Sequence, residues 1–299
     1  MSATNFQTPW LPDGRTVVVP GRGELFYRRF QHADPAAPTV LLLHGLTASC
    51  DTQFFTAYQA LAEQCSFIGI DHRGHGRGLR TTDRVRLDDM ADDAAALLTA
   101  LDVGPVITIG YSMGGPISLL LSKRHPHLIA GIIVQATEME WRSAWLERAA
   151  WRLGRVSLAI QRSWLYPRLL RRLVRRLLPI GHSLEPVIPW ITAELNRNDA
   201  AQVVQAGADL SRFDGRDWVP LLGRPAGMLV TTKDRLVSPK RQRELAKALQ
   251  ADVVELQGDH LSTLEFPDQY AAATIQLLNM VATKIDWSAA DRPQSVSAQ

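Results

Sequence analysis

The stretch Val106-Ile107-Thr108-Ile109-Gly110-Tyr111-Ser112-Met113-Gly114-Gly115 restricts the fold of this chain more than any other. Four β-prone residues lead into Gly-x-Ser-x-Gly, and a segment of helical character, Met113 to His125, follows. A serine between two glycines at a strand-to-helix turn must take a strained backbone conformation. Small neighbours let the turn close and push the hydroxyl out above the sheet edge. Pro116 falls in the first turn of the helix, where its missing N–H costs nothing.

The rest of the chain repeats the strand-then-helix rhythm. Thr16 to Pro20 and Glu24 to Phe30 flank Gly21-Arg22-Gly23 as a hairpin-like start. Val40-Leu41-Leu42-Leu43-His44 is apolar without alternation until its last residue, as a strand buried on both faces is. A helix is predicted over Thr52 to Glu63, a strand over Ser66 to Asp71, a helix over Leu87 to Leu101 and a strand over Leu128 to Gln135. The rhythm then stops, and resumes with strands at Ala226 to Thr232 and Asp252 to Leu256 and helices at Pro239 to Gln250 and Pro267 to Thr283. This order predicts an α/β fold: a mostly parallel sheet with helices on both faces. Residues 1–137 and 224–285 are expected to form the core, 138–223 an inserted helical cap, and 286–299 a disordered tail.

At 299 residues the chain is long enough for one large α/β domain with an insertion. No apolar run approaches the ~18 to 20 residues of a membrane-spanning helix. Met1 to Gly14 lacks a basic region followed by an apolar one, so no secretory leader is expected. Cys50 and Cys65 are the only cysteines, which make neither a disulfide framework nor a metal-ligand set. A reducing, cytoplasmic setting is expected. Neither a phosphate loop nor a dinucleotide fingerprint occurs, and no cofactor or metal is expected.

A serine hydroxyl needs a base, and the base needs an orienting acid. In a parallel sheet the active groups gather beyond the carboxyl ends of strands. Asp234 follows the strand ending at Thr232, and His260 follows the strand ending at Leu256. Ser112, Asp234, His260 is therefore the candidate triad. Glu138, just beyond Gln135, is the rival acid. Asp259 lies too close to His260 in sequence to orient its ring and reads as a turn residue. His44, beside Gly45, reads as a brace for its loop; His125 and His127 follow the helix that leaves the serine, where a capping role is ordinary.

Taken together, His44-Gly45, Asp71-His72-Arg73-Gly74-His75-Gly76, Gly110-Tyr111-Ser112-Met113-Gly114, Asp234 and Gly258-Asp259-His260 resemble the α/β-hydrolase superfamily, in particular its esterase-, lipase- and peroxidase-like members. The resemblance covers roughly Thr39 to Gln135 and Ala226 to Thr283. It implies an oxyanion hole from the backbone N–H groups of Leu46 and Met113. A serine at position 112 also departs from the haloalkane dehalogenases and epoxide hydrolases of this fold, which carry an aspartate there. One departure from the superfamily pattern is Arg77-Gly78, expected to alter the loop surface without touching the chemistry.

Between Trp141 and Ile180 stand ten arginines and one acid, Glu147, a net +9 that leaves −6 for the remainder. Arg168, Arg171, Arg172 and Arg175 recur at helical spacing, with Leu169, Leu170, Leu173, Val174 and Leu177 between them. Trp141, Trp145, Trp151 and Trp164 precede this amphipathic run. The expected role is a cap over the active site, with contact to an anionic membrane surface as a second reading. Nucleic acid is not an expected partner. Tyr111, Trp141, Trp145 and Leu236 are candidates to line the substrate site. The expected reaction is hydrolysis of a fairly apolar carboxylic ester, lactone or thioester. Acyl transfer, carbon–carbon bond hydrolysis and perhydrolysis by the same triad are alternatives, as is a non-catalytic receptor for a lipid or other small molecule.

Overall fold

Strand residues that are apolar on both faces serve two cores. The computed structural model describes residues 8–141, 169, 172, 175, 176 and 182–287. In it β1 (Asp13–Val19) and β2 (Gly23–Phe30) form the hairpin, followed by β3 (Thr39–Leu43). Leu41 and Leu43 of β3 join one apolar cluster while Val40 and Leu42 join the other, on the opposite face. This is why the run shows no polar alternation.

After β3 come α1 (Cys50–Phe54), α2 (Tyr58–Ala62), β4 (Ser66–Ile70), α3 (Leu87–Ala100), β5 (Val106–Tyr111), α4 (Gly114–Arg124) and β6 (Ile129–Gln135). The expected helix over 52–63 is thus two short helices. Ser49 caps the first with a reciprocal bond to Thr52, and the Ala57 N–H turns back onto the Phe54 carbonyl at 2.8 Å. Beyond the insertion lie β7 (Ala226–Thr231), α7 (Pro239–Leu249), β8 (Asp252–Leu256), α8 (Ser262–Glu265) and α9 (Pro267–Ala282). The eight strands form one sheet in the order β1-β2-β4-β3-β5-β6-β7-β8. β1 and β2 pair antiparallel, as do β2 and β4; from β4 through β3, β5, β6, β7 and β8 the pairing is parallel.

The described part of the insertion carries α5 (Ile188–Leu195) and α6 (Ala200–Leu210). Its two ends are pinned to each other. The Trp141 N–H donates to Phe213 O at 3.0 Å, the Gly215 N–H to Met139 O at 2.8 Å, and Glu140 bridges Asp214. α5 seats Trp190 edge-on against Phe55, with ring centroids 5.1 Å apart. Trp145, Trp151, Trp164 and most of the arginine run lie outside the described residues; Leu169, Arg172, Arg175 and Arg176 are helical and exposed. Among the described residues no helix is long and apolar enough to cross a membrane. At the other end, Trp287 belongs to the body: its indole donates to Ala282 O at 3.3 Å and packs on the apolar cluster.

Candidate active site

The loops after β3, β5, β7 and β8, at the carboxyl ends of parallel strands, come together around Ser112. The serine sits directly after β5 with φ of +51°, the strained turn that its glycine neighbours anticipate. A Cβ at Gly114 would collide with the Leu43 carbonyl, and one at Gly110 with the Gly114 carbonyl. The turn therefore closes only with glycine at both positions. The Ser112 N–H donates to Gln135 O of β6 at 2.9 Å, which anchors the elbow to the neighbouring strand.

The loops after β7 and β8 are zipped together by backbone bonds. Thr232 N–H meets Leu256 O at 2.9 Å and Lys233 N–H meets Gly258 O at 3.1 Å. Asp259 acts within this turn: its carboxylate accepts the N–H groups of Arg235 and His260, and pairs with the Arg235 guanidinium. This register brings Asp234 and His260 together. His260 Nδ1 lies 2.8 Å from Asp234 Oδ2, and Nε2 lies 3.0 Å from Ser112 Oγ. A carboxylate only accepts, so Nδ1 carries the proton and the Nε2 lone pair faces the serine hydroxyl. Glu138, the rival acid, is buried and ion-paired with Arg241 at 3.1 Å; His260 is joined to Asp234 instead.

The turn after β3 comes alongside. Gly45 packs so closely that a Cβ there would lie 3.3 Å from Cβ of Ser112. His44 braces the turn, as expected. Its Nε2 accepts the His72 N–H at 2.9 Å, so its Nδ1 holds the proton and donates to Gly45 O at 2.8 Å. Burial lowers the His44 imidazole to about 4, so the brace is neutral. Neither Leu46 nor Met113 spends its backbone N–H on another described residue.

Two of the substrate-lining candidates are placed differently from expectation. Tyr111 is buried, and its hydroxyl donates to the His260 carbonyl at 2.8 Å, so it holds the histidine loop. Trp141 is built into the core with its indole on the Glu138 carbonyl at 3.2 Å, a packing position. Leu236, two residues after the acid, is 53% exposed. Trp145 lies outside the described residues.

Arg77 also departs from expectation. Half sunk beneath the insertion, it pairs with buried Asp51 at 3.3 Å and buried Glu194 of α5 at 2.8 Å. Asp51 is shared with Arg28 and Glu194 with Arg197. The loop is clasped further where Asn198 accepts the Gly76 N–H at 2.8 Å and the Asp199 N–H meets Gly74 O at 2.8 Å.

The model of the family described as "alpha/beta hydrolase fold" matches residues 38–178, the span that contains the Gly45 turn and the Ser112 elbow. The chain has the α/β-hydrolase fold. The enol-lactonase of Burkholderia xenovorans has the same architecture, with a TM-score of 0.73 at 22% identity over 89% of this chain and 100% of that one. Among curated relatives, the dihydrolipoyllysine-residue acetyltransferase component of an acetoin cleaving system from Pseudomonas putida is 27% identical over 83% of this chain. The 2-(acetamidomethylene)succinate hydrolase of Mesorhizobium japonicum is 29% identical over 33% of it. The chain spans 65% of the length of the first and 35% of the second.

Two residues on this side of the sheet were absent from the sequence reading. Thr231 at the end of β7 and Gln242 in α7 are both fully buried and both bond to Asp234. A signal for Gln242 exists: it shares the buried stripe of α7 with Leu245, Ala246 and Leu249.

Proposed function

We propose that this protein is a serine hydrolase that cleaves a fairly apolar carboxylic ester, lactone or thioester through an acyl-enzyme. The observation that carries the reading is the unbroken chain from Ser112 Oγ through His260 to Asp234, with links of 3.0 and 2.8 Å. His260 takes the hydroxyl proton at Nε2 as Oγ attacks the carbonyl carbon. The imidazolium then gives that proton to the leaving oxygen or sulfur, or to the ring oxygen of an opened lactone. Asp234 holds the ring in the productive tautomer and balances its charge. Water, deprotonated in turn by His260, releases the acid and restores the serine.

Negative charge on the tetrahedral oxygen would be met by the Leu46 and Met113 N–H groups. A fixed donor of this kind contributes roughly 3 to 4 kcal/mol in other serine hydrolases. Met113 also stands at the start of α4, where the helix end is positive. The apolar preference rests on the Leu46 turn and on the half-exposed Leu236 beside the acid.

Steady-state turnover of p-nitrophenyl esters of increasing acyl length is the direct test. Ser112→Ala is expected to lose at least about 10³-fold in kcat with the parent, which would prefer medium acyl chains over acetate. Retained turnover in Ser112→Ala would sink the serine mechanism, and activity confined to short, polar esters would sink the apolar site. Adding an alcohol during turnover separates hydrolysis from acyl transfer, since a transferase would form the new ester in place of the free acid.

A further inference from the structure

The Asp234 carboxylate is held by far more than His260. It is 4% exposed, and its Oδ1 accepts the N–H groups of Leu236 and Val237, each at 2.9 Å. Oδ2 accepts the Thr231 hydroxyl at 2.8 Å, next to His260 Nδ1. Two close donors on each oxygen, with the Gln242 amide as a longer third on Oδ2 at 3.2 Å, occupy the lone pairs of the carboxylate and fix its plane. The single Thr231 proton goes to the charged and nearer acceptor, Asp234 Oδ2 at 2.8 Å against Gln242 Oε1 at 3.3 Å, so the orientation of its oxygen depends on what Thr231 accepts.

Gln242 supplies that donor. Its Oε1 accepts the Thr231 N–H at 2.9 Å, and its Nε2 donates to Val237 O at 2.8 Å. These two backbone partners, one donor and one acceptor, fix which end of the amide is which. The remaining Nε2 proton faces Thr231 Oγ1 at 2.9 Å, with Asp234 Oδ2 at 3.2 Å. Both side chains are 0% exposed. An amide is an expensive group to bury unless all its bonds are made. Here each bond ends on the acid, on the Thr231 hydroxyl that bonds the acid, or on the backbone that carries the acid.

We propose that Thr231 and Gln242 are positioning residues for the hydrolysis: an amide-to-hydroxyl relay that aims Asp234 Oδ2 at His260 Nδ1 and takes up part of its negative charge. The proposal rests on the triad reading above. Its consequence is directional. Without the relay the carboxylate presents more charge to the imidazolium, which is then held in its protonated form to higher pH.

Thr231→Val keeps the shape of the side chain and removes only the hydroxyl, whereas Thr231→Ser keeps the hydroxyl and removes only a methyl group. Gln242→Met removes the amide at similar volume. The test is kcat/KM for p-nitrophenyl acetate between pH 5 and 9, on variants whose thermal unfolding shows a folded protein. Thr231→Val and Gln242→Met are expected to lose on the order of ten-fold in kcat with KM little changed, as for one hydrogen bond to a charged group. The acidic limb of their profiles moves to higher pH, and Thr231→Ser follows the parent. The other charged or titratable groups facing this site, Tyr111 and the Asp259–Arg235 pair, are the same in all three variants. A folded Thr231→Val with the parent's kcat and pH profile overturns the proposal. Should Gln242→Met fail to fold, the Thr231 pair decides alone. Ser112→Ala run beside them separates the two ideas: if it keeps its activity, the triad reading falls and takes the relay with it.

Discussion

Tyr111 acts on the site through a backbone atom. Its phenol is buried, which pushes its ionisation well above the ordinary value, so it remains a donor to the His260 carbonyl at any working pH. Tyr111→Phe keeps the ring and removes that bond. One neutral hydrogen bond contributes about 1 kcal/mol, so kcat/KM is expected to fall about five-fold with KM nearly constant. A rise in KM with unchanged kcat would return Tyr111 to the substrate-lining role that its position beside Ser112 suggests. At this scale the sequence reveals residues by what precedes them. Ser112, Asp234 and His260 each follow a parallel strand, and the sheet's geometry gathers such residues at one edge. Thr231 and Gln242 give no such sign. A threonine at a strand end is ordinary, and Gln242 stands in Pro239-Lys240-Arg241-Gln242-Arg243-Glu244, a run that reads as solvated. Its place on the buried stripe of α7 emerges only when Leu245, Ala246 and Leu249 are read at helical spacing with it. Trp141 misleads in the opposite sense, because a large aromatic near an active site packs as readily as it binds.

Among the elements, strands are the most legible, since burial on both faces leaves β3, β4, β5 and β6 almost wholly apolar. Their observed ends fall within a residue or two of expectation. The stretch 50–62 is less legible. Phe55, Tyr58 and Leu61 bury equally well from two short helices as from one, so periodicity alone does not reveal the break. Least legible is the join between the insertion and the core, because ion pairs between segments more than a hundred residues apart leave no local pattern. Arg77 is the centre of that join. Arg77→Met removes the cation shared by Asp51 and Glu194 while leaving Arg28 and Arg197 as partial compensation. Breaking a buried pair outright costs about 3 to 5 kcal/mol, and with this compensation about 2 kcal/mol is expected. Urea unfolding measures it, and an unchanged midpoint and slope would show that the clasp is held by α5 packing alone.

For the whole molecule, the group of His44, His72 and His75 sets the response to acid. Their rings pack with centroids 4.3 and 5.2 Å from that of His44, and all three are buried. Burial lowers His44 to about 4, His75 to about 3 and His72 well below its ordinary value. The unfolded chain binds a proton at each near pH 6.5, whereas the folded chain does not until far lower pH. Stability from keeping them neutral is therefore complete above that value and lost as pH falls toward 4. Each histidine contributes about 1.4 kcal/mol per pH unit in that window, or about 2 kcal/mol between pH 6.5 and 5. His75→Gln removes one such group and is expected to lose less stability than the parent between those pH values by chemical denaturation. Equal losses would mean that the acid response comes from elsewhere. Asp92, held down to about 2 first by the Arg124 guanidinium, acts in a lower window, where stability falls as pH drops below about 4.

The central claim, that Ser112 is the nucleophile activated by His260 and Asp234, is tested most directly by mass mapping of the adduct formed with a fluorophosphonate. The account predicts one adduct per chain on the peptide carrying Ser112, absent in Ser112→Ala and formed far more slowly in His260→Ala. An adduct on a different serine, or none on a folded and otherwise intact protein, would contradict it.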